Sequence, residues 1–237
     1  MLWMAWKAIV RQAMGGSKVA VPVGGRHGRT RGVAPLLPDV AVPPEAGALL
    51  LRLARVAIAE AVGDGCSRLA SSRDLLPATP PPAVLAPAAA FVTLHEAGEL
   101  RGCVGSLATD RPLWESVISA AVAAALDDPR FLPVTADEVP WLSIDVSVLG
   151  PARPLDAPAD FQPGRDGVIV DRGGRRGLLL PEVATEHGWG LREMLEGTCW
   201  KAGLPPDAWR DPATDVRLFR TTRFSDPGPD RSDGPHP

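Results

Sequence analysis

The fold of this chain is decided by the stretch FVTLHEAGELRGCVGSL, residues 91–107. Phe91 to His95 has the β-branched and aromatic content typical of a strand, and Glu99 to Val104 repeats that pattern. Between them, Glu96-Ala97-Gly98 has the composition of a tight loop. The stretch therefore predicts a β-hairpin closed by a short loop that contains glycine.

The segments on either side of the hairpin alternate between helical and strand patterns. Apolar residues at helical spacing predict a helix over 45–62, and the proline-rich stretch 74–89 predicts an extended connector. Further along, the patterns predict a helix beginning near Pro112 and capped by Asp110, a strand at 142–150, a hairpin at 167–180, helices at 181–187 and 191–202, and a closing strand at 216–224. Because strands come in pairs with helices between the pairs, we expect an α+β fold with a mainly antiparallel sheet and flanking helices.

Composition excludes several classes of protein. With 25 basic and 28 acidic side chains the formal charge is −3, which gives no general affinity for nucleic acid. No apolar run reaches the ~18 residues of a membrane-spanning helix, so we expect no membrane span. The 3 cysteines are widely spaced, which argues against a disulfide framework and favours a reducing, cytoplasmic location. No CxxC pair and no histidine pair has ligand spacing, so we expect no metal and no cofactor.

Both ends of the chain differ in composition from its middle. Residues 1–40 are basic and rich in glycine, so we expect a flexible basic extension there. Residues 225–237 are rich in proline and polar residues, which predicts a disordered tail. The folded domain is therefore expected over residues 41–224.

Cys103 is the first candidate for chemistry. Strict alternation along a strand would place Glu99, Arg101 and Cys103 on one polar face, where the arginine favours the reactive thiolate. Gly102 and Gly105 would leave room for a ligand or for another backbone. The alternative is that Cys103 is a small apolar filler and that the glycines mark a bulge.

A general base for Cys103 is harder to find in the sequence. If His95 pairs with Glu99 across the loop, Cys103 pairs with Phe91, and His95 lies ~13 Å along the strand from that position. This register predicts no contact between His95 and Cys103. A Cys/His dyad is therefore only weakly supported by the sequence.

The second candidate is the segment DDPRF at 127–131. Two acids at the C-terminal end of a helix oppose the helix dipole, and such a violation is typical of a functional or paired site. Asp128 and Arg130 are the candidates here, with simple neutralisation of Asp128 by Arg130 as the alternative. Asp145, on the polar side of the strand at 142–150, is expected to be exposed to solvent.

Several motifs, in their order along the chain, resemble those of the AMMECR domain family. The prokaryotic members of this family are protein A of the AmmeMemoRadiSam system. The resemblance covers about residues 45–224 and rests on the hairpin quoted above, on DDPRFLPVTADEVPWLSIDVSVL, on GVIVDRGGRRGLLLPEVATEHGW and on CWKAGLPPDAW. The residues that match the LRGCxG and DxRF motifs of the family are Arg101, Gly102, Cys103, Gly105, Asp128, Arg130 and Phe131.

The resemblance implies an α+β fold of two unequal subdomains, with the Arg-Gly-Cys segment at a cleft. It also implies a genomic association with a Memo-like protein and a radical SAM protein, and it leaves the oligomeric state and the reaction open. One hypothesis is a cysteine-dependent enzyme or modification factor, whose catalytic residues would be Cys103, Arg101, Asp128 and Arg130, with Glu99, Gly102 and Gly105 near the substrate. The alternative is a non-catalytic binding or scaffold protein for the same partners, with a structural Cys103.

Overall fold

The computed structural model describes residues 42–63, 74–226 and 228. The helices are α1 Pro44–Val62, α2 Pro82–Leu85, α3 Leu113–Leu126, α4 Pro181–His187 and α5 Leu191–Lys201. The strands are β1 Ala90–Glu96, β2 Glu99–Ser106, β3 Leu142–Leu149, β4 Arg153–Pro154, β5 Gly167–Arg172, β6 Arg175–Leu179, β7 Asp215–Phe219 and β8 Thr221–Asp226. Among these residues, no helix has the length and apolar content needed to span a membrane. The predicted extension at 1–40 lies outside the described residues.

The strands form two four-stranded sheets in which all pairs are antiparallel, so the predicted α+β fold is confirmed. The first sheet has the strand order β2-β1-β3-β8, and helices α1 and α3 cover one of its faces. Leu50 and Leu53 of α1 pack with Val92, Leu94 and Ile144 in a core from which water is excluded. Because strand side chains alternate, the residues between these core positions point to the opposite face of the sheet.

The second sheet has the order β4-β7-β5-β6 and is covered by α4 and α5. Its core contains Val168 and Val170 of β5, Met194 and Leu195 of α5, and Leu218 of β7. A smaller apolar cluster joins the two sheets, and its members are Ala89, Leu149, Ile169, Leu178 and Phe219, with Phe91 packed against them. The second unit therefore lies on the face of the first sheet that the helices leave uncovered.

Two tight turns close the hairpins that the sequence predicts. Ala97 and Gly98 have φ values of 50° and 83°, and Gly173 and Gly174 have 60° and 81°. Two consecutive positive φ values suit a two-residue turn whose twist matches the flanking strands. Ala97 is the only non-glycine residue with positive φ among the residues described here.

The predicted closing strand at 216–224 is in fact two strands in different sheets. β7 belongs to the second sheet and β8 to the first, with Arg220 between them. No glycine or proline marks the crossover, so the composition of the segment could not reveal it. β8 extends to Asp226, which accepts a 2.6 Å hydrogen bond from Arg55 Nη2 of α1, so the predicted disordered tail begins too early.

Helix α3 begins without the predicted cap. Pro112 is its N-cap residue and makes no side-chain capping bond, while Asp110 lies 3.5 Å from the guanidinium of Arg111. The N–H of Leu113 donates instead to the Ala86 carbonyl in the proline-rich connector, at 2.9 Å. Over residues 75–89 the connector contains one helical turn, α2, as its prolines predict.

Candidate functional site

Cys103 belongs to a row of polar residues that crosses all four strands of the first sheet. Cys103 pairs with Thr93, Thr93 with Asp145, and Asp145 with Ser225. Directly paired residues share a face, and this face is the one turned away from α1 and α3. We call these four residues the polar row. Thr93 Oγ1 donates to Cys103 Sγ at 3.4 Å, and Cys103 is half-buried.

The segment after α3 binds the backbone of Cys103. The Cys103 N–H donates to Asp128 Oδ2 at 2.9 Å, and Arg130 Nη2 donates to the Cys103 carbonyl at 3.4 Å. Because β2 is the edge strand of its sheet, these two backbone groups have no neighbouring strand, and Asp128 and Arg130 take that place. The structure thus brings together three residues that the sequence predicts as catalytic.

Asp128 and Arg130 form a tightly bonded ion pair. Arg130 Nη2 lies 2.6 Å from Asp128 Oδ2, and its Nε donates to Oδ1 at 2.9 Å. Burial opposes ionisation of Asp128, but hydrogen bonds from Arg130 and from the Cys103 N–H hold its pKa below the ordinary value. The Asp128 bonds raise the pKa of Arg130, and the guanidinium also interacts with the Cys103 side chain. A permanent positive charge is therefore fixed beside the thiol.

Arg101 does not share the face of Cys103, because β2 contains a bulge. Leu100 pairs with His95 and Gly102 with Leu94, so Arg101 is an extra residue without a partner in β1. The bulge breaks the alternation on which a shared face of Glu99, Arg101 and Cys103 was predicted. That prediction is wrong, and Leu100 instead shares the face of His95.

The guanidinium of Arg101 ties β2 to the loop that follows Arg130. Its Nε donates to Glu138 Oε1 at 2.8 Å and its Nη1 to the Leu132 carbonyl at 2.8 Å. The hydrogen bond from Arg101 is the largest cause that lowers the pKa of Glu138, to about 2. Glu138 Oε2 also accepts the N–H of Thr135 at 2.6 Å, which is one half of a capping box.

The two glycines of the motif serve close packing. A Cβ on Gly102 would collide with the carbonyl oxygen of Ala124 in α3, and a Cβ on Gly105 would collide with the Phe91 ring. Of the two predicted roles of Gly102, the structure therefore shows close approach by another backbone. It shows no space for a ligand at this glycine. Glu99 is exposed and pairs with Glu96 beside the turn.

His95 lies closer to Cys103 in register than the sequence suggested. The two-residue turn and the bulge place Thr93 opposite Cys103, so His95 is two residues away along β1, or ~6.6 Å. The predicted pairing of Cys103 with Phe91 is wrong. His95 Nδ1 lies 3.6 Å from Asp145 Oδ2.

Asp145 is buried, contrary to the predicted exposure. It accepts hydrogen bonds from Arg223 Nη2 at 2.6 Å and from Ser225 Oγ at 2.5 Å. Burial raises the pKa of Glu182 on α4, whose charge also interacts with Arg223 and Asp145. The second unit thus contributes a carboxyl group whose charge acts on Asp145 of the polar row.

Lys201, the last residue of α5, is a charge near the site that sequence reasoning missed. Burial lowers the pKa of its ammonium, and the charges of Cys103 and Arg130 act on that pKa in opposite directions. No local pattern could have revealed this, because the interaction joins segments about a hundred residues apart in the chain. Within residues 42–63, 74–226 and 228, no group of three or more His, Cys, Asp or Glu side chains is placed to hold a metal ion.

Comparisons with known proteins agree with this architecture. The sequence profile of the AMMECR1 family matches residues 51–224. A protein of Methanothermobacter thermautotrophicus is 44% identical over 77% of this chain and 95% of its own length, and one of Thermococcus gammatolerans is 43% identical over 79% and 94%. The crystal structure of an uncharacterized protein from Pyrococcus horikoshii is similar at a TM-score of 0.71, with 40% identity over 79% of this chain and 95% of that one.

Proposed function

The chain belongs to the AMMECR1 family, and from the geometry of its site we propose that it is a cysteine-dependent enzyme or modification factor with Cys103 as the nucleophile. The observation that supports this most is the Arg130 guanidinium, which Asp128 holds in place and which interacts with the Cys103 side chain. A cysteine attacks through its sulfur anion, and a cation held nearby is a suitable counter-charge for that anion. A reducing, cytoplasmic location would keep such a thiol free.

The proposed step is attack by the Cys103 thiolate on an electrophilic carbon of the substrate. The thiol proton passes to solvent, an S–C bond forms, and the leaving group departs with the electron pair of the bond that breaks. Thr93 Oγ1 donates a hydrogen bond to Sγ and stabilises the charge there before the attack. Asp128 is a positioning residue, because it acts through Arg130 and through the Cys103 backbone.

Alkylation of Cys103 by iodoacetamide tests this proposal. We expect the folded protein to react about tenfold faster than the urea-unfolded chain at the same pH, when modification is measured on the peptide that contains Cys103. Arg130→Met should remove most of that advantage, whereas Arg111→Met, which removes an exposed arginine at the start of α3, should not. A folded protein that reacts no faster than the unfolded chain would exclude a nucleophilic role.

A second function is favoured by exposed leucines beside the site. Leu132 is 84% exposed and Leu100 38% exposed, and Arg101 connects their two segments. Large exposed apolar side chains on neighbouring segments are a feature of protein-binding surfaces. We therefore propose as the alternative a binding or scaffold protein, whose partners would be the Memo-like protein and the radical SAM protein that the resemblance implies.

Co-purification with those two partners separates the alternatives. A scaffold should lose binding on Leu132→Asp and keep both binding and pathway output on Cys103→Ser. An enzyme or modification factor should lose pathway output on Cys103→Ser even where binding persists. Absence of binding to either partner would count against the scaffold.

A further inference from the structure

His95 lies on the same face of the first sheet as the polar row and occupies a position diagonal to Cys103. β1 pairs with β3 without interruption from Ala90 to Glu96, so the side chains of Thr93 and His95 point to one face. Thr93 is directly opposite Cys103 and donates its hydroxyl hydrogen to Sγ. Diagonal positions of an antiparallel pair are about 7–8 Å apart, which a long or aromatic side chain can span. The imidazole therefore stands beside the thiol.

Asp145 holds one ring nitrogen of His95. Asp145 Oδ2 lies 3.6 Å from Nδ1, and its carboxylate is in turn bonded to Arg223 Nη2 at 2.6 Å and to Ser225 Oγ at 2.5 Å. β3, which contains Asp145, and β2, which contains Cys103, lie on opposite sides of β1. Because the two nitrogens of an imidazole point in different directions, a ring whose Nδ1 faces β3 turns its Nε2 away from β3. Among the residues that the structure describes, Nε2 has no hydrogen-bond partner.

The end of the face at which His95 lies is open to a substrate. The His95 side chain is 28% exposed, and Leu100, which is paired with it, is exposed as well. The opposite end of β1 is covered, because Phe91 packs against the cluster that joins the two sheets. A substrate that reaches Cys103 from the open end therefore passes the imidazole.

The charged groups around the imidazole come from three further elements. Asp145 of β3 contacts it, Arg223 of β8 is bonded to Asp145, and the charge of Glu182 on α4 interacts with both of these residues. A carboxylate that contacts Nδ1 is a suitable counter-charge for a protonated ring, and it fixes which nitrogen faces the substrate. This is the arrangement in which a histidine can give up a proton from Nε2.

We propose that His95 is a second catalytic residue, which donates a proton from Nε2 to the leaving group of the substrate that reacts at Cys103. This proposal rests on the nucleophilic role of Cys103 and adds the class of substrate. The leaving atom would be oxygen or nitrogen, as in an ester or an amide, because such groups depart poorly without a proton. Asp145 is a positioning residue, because it acts through the ring.

The proton and electron pairs of this step balance without an oxidant or a reductant. The Cys103 thiolate forms a bond to the carbonyl carbon, and the bond from that carbon to the leaving oxygen or nitrogen breaks. The leaving atom keeps the electron pair of the broken bond and takes the proton from His95 Nε2. His95 regains a proton from solvent, which has received the thiol proton of Cys103. Since the leaving atom is bonded to the attacked carbon and not to sulfur, an acid beside the thiol suits it better than one in contact with Sγ.

Two acetate esters test the proposal. Phenyl acetate and 4-nitrophenyl acetate form the same thioester with Cys103, and they differ in the phenol released, since 4-nitrophenol departs readily as an anion and phenol does not. The rate of each, measured on the peptide that contains Cys103, is divided by its rate with free glutathione at the same pH. We expect the normalised rate to be about tenfold higher for phenyl acetate than for 4-nitrophenyl acetate in the wild-type protein. This ratio should fall between about pH 6 and about pH 8, where an imidazole loses its proton.

Three variants identify the origin of that preference. His95→Gln should bring the ratio to near one and keep the iodoacetamide rate within about twofold of wild type, because iodide needs no proton. Asp145→Asn should lower the ratio at least about threefold, again with little change in the iodoacetamide rate. His187→Gln removes an exposed histidine that packs against Trp189 and should leave the ratio unchanged.

Several results would overturn the acid role of His95. These are a wild-type ratio near or below one, a ratio that does not fall with rising pH, and a ratio that His95→Gln leaves unchanged. The pH dependence is measured on the wild-type protein, so it decides the question even where His95→Gln does not fold. An unchanged ratio in folded Asp145→Asn would remove the positioning role of Asp145.

The same measurements keep the two proposals apart. The iodoacetamide rate of the folded protein, compared with that of the unfolded chain, decides whether Cys103 is a nucleophile. The ratio of the two normalised ester rates decides whether a leaving group receives a proton, whatever the absolute rates are. A slow thiol with a high, His95-dependent ratio would leave an acid without an activated nucleophile, and a fast thiol with a ratio near one would leave the reverse.

Discussion

Asp128 Oδ2 accepts a 2.9 Å hydrogen bond from the backbone N–H of Cys103, which lies 25 residues earlier in the chain. This bond takes the place of a neighbouring strand at the edge of the first sheet. The same carboxylate accepts three further N–H groups from Arg130. One buried side chain therefore fixes both the backbone of the thiol and the cation beside it.

Asp128→Asn is expected to destabilise the fold by about 2–4 kcal/mol. Asparagine keeps one acceptor oxygen but turns an NH₂ group toward donors of Cys103 and Arg130, and it leaves the guanidinium without its counter-charge. Urea denaturation measures the free energy of unfolding. Asp127→Asn is the matched control, since Asp127 is exposed at the end of α3 and should change stability by less than about 0.5 kcal/mol. Equal effects of the two substitutions would contradict the bonding described for Asp128.

Ionisation of Glu138 should make the free energy of unfolding depend on pH. Its pKa is lowered to about 2 in the folded protein, chiefly by Arg101, against an ordinary value of 4.5. Because the folded pKa is depressed, the stabilisation is complete above pH 4.5 and is lost as the pH falls toward 2. Allowing for solvent screening, Glu138→Gln should cost about 1 kcal/mol at pH 6 and about half of that or less at pH 3. Urea midpoints at the two pH values measure this, and an equal loss at both would contradict the assignment.

Arg101 is expected to matter for stability and little for reactivity. Arg101→Met removes the bonds to Glu138 and to the Leu132 carbonyl, which should cost about 1–3 kcal/mol. In the folded protein the iodoacetamide rate at Cys103 should stay within about twofold of wild type, because the nearby fixed charge is Arg130. A tenfold loss of rate in folded Arg101→Met would restore Arg101 to the catalytic role that the sequence motif suggests.

Local sequence patterns predict the helices and most of the strands. Each wrong prediction depends on a contact between distant residues, which no local pattern encodes. Apolar spacing predicts α1 to within one residue because its buried face spans five turns. The bulge at Arg101 depends on the turn and on the Glu138 contact. Alternation along β2 therefore placed Arg101 on the wrong face, together with Cys103. The segment around Asp128 was predicted as a site because two acids at a helix C-terminus oppose the helix dipole. Lys201 violates no such local preference, so only the three-dimensional structure places it near the site.

Gly102→Ala tests whether the glycine of the Cys103 motif serves packing. A Cβ at this position collides with the backbone carbonyl of Ala124, which cannot move without shifting α3, so we expect a loss of about 3 kcal/mol. Gly174→Ala is the control, because Gly174 has φ of 81° but no atom within 4 Å of its missing Cβ. Backbone strain alone should lower the free energy of unfolding of Gly174→Ala by about 1 kcal/mol. Urea denaturation of both variants gives the comparison, and a smaller loss at Gly102 than at Gly174 would show that α3 adjusts and that the glycine is retained for another reason, such as access of a ligand.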